Sequence, residues 1–446
     1  MSFVRYALAM RDSLIAGFDS RAFKEEVVER KFLWFRHFLV NSPEGIGHVL
    51  VQNVQNYPKA DLIRPMVVPA LGNGLVTSEG ETWRWHRRLM APAFSPNAVS
   101  DYVETMLAAV GDQLAEWEQQ AGDKPIKLDE QMMALMLRII ARTMFSSDSD
   151  TIAEILERDS QEYQDRIKLS PLALIPGLNR LWAAQKRRQG ARIVNALDEQ
   201  IYSLIDKRKT ALKRPKRQDL LDRLIFGEDE KTGKRLSTSE VRDQIVTIFM
   251  AGHETTALAL TWTWYLLSKH PDAERKFHEE VDAVLHGRAP RYSDVTRLPY
   301  TTQIFDEAIR LYPPVHSLAW REAVADDEIC GREIPAGSLV GIVPWVVHRH
   351  RSLWERPNVF DPDRFEKARS AGRPRYAHIP FSAGPRVCIG GTFAAVEGVL
   401  ALAAFGQRFS VEIVDDENLM PKGLLTLHPS GGMKARLTRR QPATLD

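Results

Sequence analysis

Cys388 stands in the loop Phe381-Ser382-Ala383-Gly384-Pro385-Arg386-Val387-Cys388-Ile389-Gly390, whose composition suits a reactive sulfur. One cysteine inside a protein is ordinarily a small buried hydrophobe. Here Gly384 and Gly390 allow backbone conformations closed to other residues, so the loop can pass close to something flat. A helical run, Thr392–Phe405, begins just beyond, and its amides and dipole favour a thiolate. Arg386, two residues away, can answer a carboxylate on the same side of the loop. A second constellation, Ala251-Gly252-His253-Glu254-Thr255-Thr256, sets an acid beside two alcohols inside an apolar helix. Mid-helix glycine costs about 1 kcal/mol against alanine and paired threonines add to it, so a close approach or a local opening is expected there. Glu307 and Arg310 lie three apart on one helix face, and Trp83 and Arg87 four apart on another. His348 and His350 would share a strand face, but no third metal ligand lies near them.

Taken together these residues resemble the cytochrome P450 family. The cysteine loop matches its FxxGxRxCxG haem-ligand motif at Phe381, Gly384, Arg386, Cys388 and Gly390, and Phe393, Ala394 and Glu397 match the usual continuation. Five fixed positions would arise by chance in such a chain with odds of roughly 10⁻⁴. The segment 251–256 is similar to (A/G)Gx(D/E)T(T/S), Glu307 and Arg310 to ExxR, and Arg364 to the arginine of PxRF. Trp83 and Arg87 resemble WxxxR, with Pro92-Ala93-Phe94 at the familiar distance, and 78 residues separate Arg310 from Cys388. The resemblance implies a mainly α fold of the α+β kind around a buried haem b, a helix-rich part with a smaller β-rich part. It implies Cys388 as the axial thiolate that favours O–O cleavage. Thr255 would hydrogen-bond dioxygen and Glu254 would help deliver the two protons that cleavage requires. Trp83, Arg87, Arg321 and Arg386 would meet the haem propionates, with Phe381 and Gly390 against the cofactor. Glu307, Arg310 and Arg364 would form a buried structural cluster. His253 is expected on the helix face away from the haem. Family positions put Leu75, Val76, Thr247, Ala251, Val315 and Leu425 along the substrate pocket; all but Thr247 are small or aliphatic, which favours a fatty acid, terpene or similar apolar molecule. The Gly-Leu-x-Thr-Ser segment at 74–78 and the segment 251–256 together resemble fatty-acid-hydroxylating relatives, which tilts the expectation slightly toward a fatty acid.

These groups need rigid elements behind them. Apolar residues at three and four spacing predict helices at Met106–Gln120, Leu128–Met144 and Arg187–Leu212. Ser237-Thr238-Ser239-Glu240 offers a capping box for a long helix carrying Glu254 and Thr255 through about Leu267. A shorter helix, Tyr300–Leu311, carries Glu307 and Arg310 and ends before Pro313-Pro314, and another spans Ala394–Phe405. Strands are expected at 31–41, Glu328–Ile334 and Leu339–Val347, with Leu424–Leu427 and Met433–Leu437 as a closing hairpin. The stretch Lys213–Arg217 reads as an exposed loop.

At 446 residues and a formal charge of +2, the chain has room for a large core and no charge bias toward nucleic acid. The resemblance runs from about residue 33 to 437, so one haem domain is expected over 1–446. Cys330 and Cys388 are too few for a disulfide framework and fit a reducing compartment. Arg5, Arg11 and Asp12 break the first apolar run, so neither a signal peptide nor a membrane anchor is expected, and a cytoplasmic location is. No P-loop, Rossmann fingerprint or CxxC pair occurs, so electrons are expected from a separate ferredoxin or flavodoxin with an NAD(P)H-dependent reductase. Lys367, Arg369, Arg373 and Arg375 read equally as a basic docking face for such a partner or as solvated loop charge. Two rivals remain. A peroxide-dependent haem-thiolate enzyme would ordinarily alter Glu254-Thr255, and a non-catalytic haem-binding protein leaves both without a role.

Overall fold

The computed structural model describes residues 13–32, 35–60, 68, 71–145, 152, 178–211, 219–317 and 319–440. The longer helices are α1 (Gly80–Met90), α2 (Pro96–Gln120), α3 (Leu128–Met144), α4 (Leu178–Thr210), α5 (Leu220–Phe226), α6 (Thr238–Lys269), α7 (Pro271–Leu285), α8 (Pro299–Leu311) and α9 (Gly391–Gly406). The strands are β1 (Val27–Phe32), β2 (Phe35–Val40), β3 (Ile126–Lys127), β4 (Ala319–Glu322), β5 (Asp327–Ile329), β6 (Arg332–Ile334), β7 (Leu339–Ile342), β8 (Phe409–Val414), β9 (Pro421–Gly423), β10 (Leu427–Pro429) and β11 (Lys434–Arg439).

Helix α6 is central because its sequence is apolar on every side, the pattern of a helix enclosed by others. Its capping box forms as the sequence predicts: Ser237 N donates to the Glu240 carboxylate at 2.8 Å, and Glu240 N to Ser237 Oγ at 3.3 Å. The mid-helix glycine serves a close approach. A Cβ on Gly252 would meet Ile140 Cδ1 of α3 at 2.8 Å, so α3 crosses tightly there without opening α6. Helix α9 is enclosed likewise, with Trp117 of α2 meeting Phe405 and Phe409 at ring centroids 4.4 and 5.6 Å apart. Two main apolar clusters result, a large one among the helices and a smaller one under the strands.

The strand-rich end holds a mixed sheet, β1-β2-β7-β4, in which only β2 and β7 run parallel. Several expected strands are divided differently. Residues 31–41 span the end of β1 and all of β2, a hairpin in register Val27↔Val40 to Phe32↔Phe35; no glycine, proline or asparagine punctuates the reversal. Glu328–Ile334 is the hairpin β5-β6, reversed at Cys330 (φ 49°) and Gly331 (φ 72°), and cysteine gives no turn signal. Leu339–Val347 ends as a strand at Ile342, because Pro344 opens a short helix, Pro344–Val347. Leu424–Leu427 is mostly the turn between β9 and β10, while β11 pairs with β8 and β3 instead of closing on it. The stretch Lys213–Arg217 and the N-terminal residues Met1–Asp12 lie outside the described residues.

Candidate active site

The cysteine loop is held from both cores. Phe381 and Ile389 pack against the helical cluster, while Ile379 and Ala383 belong to the strand cluster. Between them Cys388 N donates to Phe381 O at 2.9 Å and Ser382 N to Ile379 O at 3.1 Å. Gly384 has φ +71°, and a Cβ there would lie 2.0 Å from Leu50 O, so both backbone and space require glycine. Gly390 departs from the sequence expectation, since its φ of −90° suits any residue. Its role is space: a Cβ there would meet only Phe94, at 4.0 Å, so the flank beside the cysteine is open. Cys388 presents open surface, yet burial pushes its thiol up, against the Gly390 amide and the Arg87 guanidinium, which pull it down. Both hold if the surface it presents faces an internal hollow.

The loop's height is set by a buried ionic cluster. Arg310 Nε and Nη2 donate to the Glu307 carboxylate at 2.6 and 2.8 Å, and Arg364 Nε donates to it at 3.0 Å. The remaining donors find backbone carbonyls: Arg310 Nη1 reaches His348 O and Pro357 O at 2.7 and 2.8 Å. His348 Nε2 accepts from Ile379 N at 2.9 Å, which leaves Nδ1 to donate to Arg310 O at 3.3 Å. Burial holds this imidazole well below its usual range, hence neutral. A hydrogen-bonded line therefore runs from Glu307 through Arg310 and His348 to Ile379, two residues before the loop begins at Phe381. His350 is spent on Ser352 and Glu25 O, and no group of three metal-ligating side chains occurs among the described residues.

Cations gather on one side of the hollow. Arg87 lies over the Trp83 ring at 5.8 Å, as the one-face spacing requires, and Arg386 lies over the same ring at 4.2 Å. Arg386 also donates to the Glu79 carboxylate and to Ser78 O at 3.1 Å. Arg321, on β4, is buried with Nε and Nη1 lacking any hydrogen-bond partner. Lys59, which sequence reasoning missed, bridges to Arg321 through the backbone and approaches Glu79 at 3.7 Å. Burial, and then Arg386, push its ammonium down to about 7. Burial likewise lowers Arg386 to about 10. Lys59, Arg321 and Arg386 thus share the Glu79 carboxylate, with Arg87 beside them over Trp83, an arrangement that asks for further negative charge. A group carrying two carboxylates on a flat apolar body fits: the body against the open flank of Gly390, the carboxylates on the unpaired Arg321 nitrogens, Arg87 and their neighbours.

Across from the cysteine, Ala251 and Thr255 present surface midway along a helix otherwise buried. Thr255 Oγ1 donates to Ala251 O at 2.9 Å. Glu254 is buried and turned the other way, accepting at one oxygen, Oε1, from Thr426 Oγ1 and from His428 Nε2, each at 2.9 Å. Thr426 and His428 were not found from sequence, since nothing in the spacing joins 254 to 428. His253 lies on a buried face against Phe249 O at 2.6 Å, and burial lowers it. Val76 and Leu425 are 46% and 47% exposed, high values for valine and leucine, and belong with Ala251 as open apolar surface. Leu75 is buried, with its N–H on Gln244 at 2.9 Å, and Val315 is half-buried. Thr247 is buried against the loop: a Cβ on Gly74 would touch its hydroxyl at 2.0 Å. A separate polar groove of about 880 Å³ between α2 and α3, walled by Gln113, Glu116, Gln131 and Arg138, contains none of these residues.

Comparison with known proteins agrees over nearly the whole described length. The Cytochrome P450 family model matches residues 18–434. Cyclooctatin synthase of Streptomyces melanosporofaciens is 38% identical over 87% of this chain and 84% of its own. Pentalenene oxygenase of Streptomyces avermitilis is 32% identical over 90% and 87%. The crystal structure of the cytochrome P450DA heme domain superposes with a TM-score of 0.80 at 27% identity, covering 94% of this chain and 90% of that one. By these matches the chain belongs to the cytochrome P450 family, haem b monooxygenases that insert one atom of dioxygen into an organic substrate.

Proposed function

We propose that Cys388 is the thiolate ligand of the haem iron and that the protein oxygenates a cyclic, terpene-like hydrocarbon or its alcohol. The observation that carries the reading is the convergence on one hollow of an open, deeply set cysteine, four cations with one carboxylate among the described residues, and the open middle of α6. When bound, haem supplies dioxygen activation at its iron. Trp83, Arg87, Arg321 and Arg386, with Lys59, would neutralise its propionates, and Arg87 would also favour the anionic sulfur. Phe381 and Gly390 would flank it on the sulfur side. Thr255 holds a hydroxyl on the opposite side and Glu254 supplies an acid one residue away, the pair that passes protons into a site that excludes water.

Val76, Ala251, Val315 and Leu425 offer an apolar wall, and none of the residues assigned to the pocket is cationic, which gives a fatty-acid carboxylate no obvious partner. The relatives named pentalenene oxygenase and cyclooctat-9-en-7-ol 5-monooxygenase support the cyclic class. The family draws electrons from redox partners; a ferredoxin or flavodoxin with its reductase is the source proposed here. The basic face once expected for that docking is partly committed. Arg369 pairs with Asp361 at 2.9 Å, Arg373 lies over Trp354 at 4.6 Å and Arg375 over Tyr376 at 5.5 Å, so Lys367 carries most of what remains. A cytoplasmic location completes the proposal; Cys330 and Cys388 are both free, as a reducing compartment keeps them. No described helix is long and apolar enough to cross a membrane.

The decisive measurement is the reduced, carbon-monoxide-bound absorption spectrum. Wild type shows the thiolate band and Cys388→Ala lacks it; a band retained in the variant removes the ligand assignment. A spectral screen then ranks cyclic alkenes against fatty acids by the low-to-high-spin shift. Tighter binding of the fatty acids would reverse the substrate proposal.

A further inference from the structure

We propose that His428 and Thr426 form the solvent-side end of the proton path, with Glu254 as the carrier between them and Thr255. The inference deepens the monooxygenase reading and rests on it. Three polar atoms from two distant segments close on one another: Thr426 Oγ1 and His428 Nε2 each lie 2.9 Å from Glu254 Oε1, and 2.9 Å from each other. Thr426 and His428 alternate along the hairpin and so share a face, whereas the intervening Leu427 points into the core. Glu254 is buried, while the His428 side chain keeps 13% of its surface open. A buried acid thus reaches solvent through one imidazole.

A purely structural role would be redundant. The hairpin is already fastened to α6 by Trp262 Nε1, which donates to Leu427 O at 2.9 Å, and to the segment after α8 by Leu427 N on Pro314 O at 3.0 Å. The charged or titratable neighbours of His428 are few. Glu254 faces it from α6; His316, after α8, is pushed down to about 4 by burial and stays neutral; Lys422 stands opposite in the β9 register. In the proposed step, imidazolium at His428 gives its Nε2 proton to Glu254 Oε1 and becomes neutral. The ring, now protonated only on Nδ1, turns about its side-chain torsions to bring the bare Nε2 to solvent, takes a proton there from a hydronium ion, and turns back. The neutral acid turns about its side-chain torsions to Thr255, one residue along the helix, and gives its proton to Oγ1 as the hydroxyl passes its own onward. Glu254 returns as carboxylate.

The test uses the holoenzyme with a surrogate ferredoxin, its reductase and any bound apolar substrate. His428→Gln keeps an N–H donor for Glu254 but cannot titrate. It should retain haem content and ligand affinity while product per electron falls at least about fivefold and peroxide rises, since a positioned acid or base is ordinarily worth more than that. The pH profile of coupling should lose its histidine limb, a change that a fastening role would not produce. Wild-type coupling and pH profile in His428→Gln would overturn the relay alone. Absence of oxygenation by wild type across the apolar panel would overturn the parent reading and the relay with it.

Discussion

Glu397 is a carboxylic acid on α9 with both oxygens buried and only the Thr256 hydroxyl beside them to offset that burial. Burial pushes it up to about 8, with Thr256 beside it pulling the other way, so it is neutral at physiological pH. An acid raised in the folded state binds a proton that the unfolded chain has released. Between about pH 4.3 and 8 stability therefore falls as pH rises, by up to about 1.4 kcal/mol per unit. Glu397→Gln has the same shape and no proton to lose. Its melting temperature should gain on wild type across that window and run parallel above it; a gap independent of pH would show that Glu397 is not titrating. Thr255→Ala should keep ligand binding and release peroxide in place of product, and unchanged coupling would remove Thr255 from the proton path. At this scale the sequence was informative where chemistry fixes both residue type and spacing: Cys388, Glu254, Thr255, Glu307 and Arg310 could all be named. Lys59, Glu79, Thr426 and His428 could not, because each meets its partner across more than a hundred residues or through a loop, and long-range pairing leaves no period in the chain.

Elements were legible in proportion to their internal signals. Helix α6 announced itself by a capping box and an apolar run, and α8 by its proline boundaries. The strands were blurred because β1 and β2 turn without a turn residue and β5 and β6 reverse at a cysteine. What the elements do for the site can be tested at Glu307. Its carboxylate receives Arg310, Arg364 and the Asp361 N–H, so Glu307→Gln leaves the buried Arg310 guanidinium without its anion and Arg364 with only Asp361, at 4.0 Å. The loss expected is about 3–5 kcal/mol, read from the denaturation midpoint. Since the cluster reaches Ile379 through His348, haem content should fall with it; a destabilised variant with full haem occupancy would separate the cluster from the loop. Gly384→Ala tests the same loop from the other side. With φ +71° and Leu50 O only 2.0 Å from the new Cβ, it should cost roughly 1–3 kcal/mol and lower haem occupancy.

At the scale of the whole molecule the proposed haem site is a seam. The helical cluster supplies Phe94, Phe393 and Ile389, the strand cluster supplies Leu50, Ile379 and Ala383, and Arg321 and Lys59 enter from the strand side while Arg87 enters from α1. Without the cofactor, Lys59, Arg87, Arg321 and Arg386 repel one another across that seam, and among the described residues Glu79 is the carboxylate set against Lys59, Arg321 and Arg386. Such repulsion is screened over about 10 Å at 0.1 M salt but reaches about 30 Å at 0.01 M. Apoprotein should therefore melt lower than holoprotein by the free energy of haem binding, and its melting temperature should rise with sodium chloride over that range. Holoprotein, with two propionates among the four cations, should respond far less. The comparison needs only apo and holo samples melted at two ionic strengths. Parallel salt responses would mean that the cations are neutralised by the chain itself, and that the propionate assignment of Arg87, Arg321 and Arg386 is wrong.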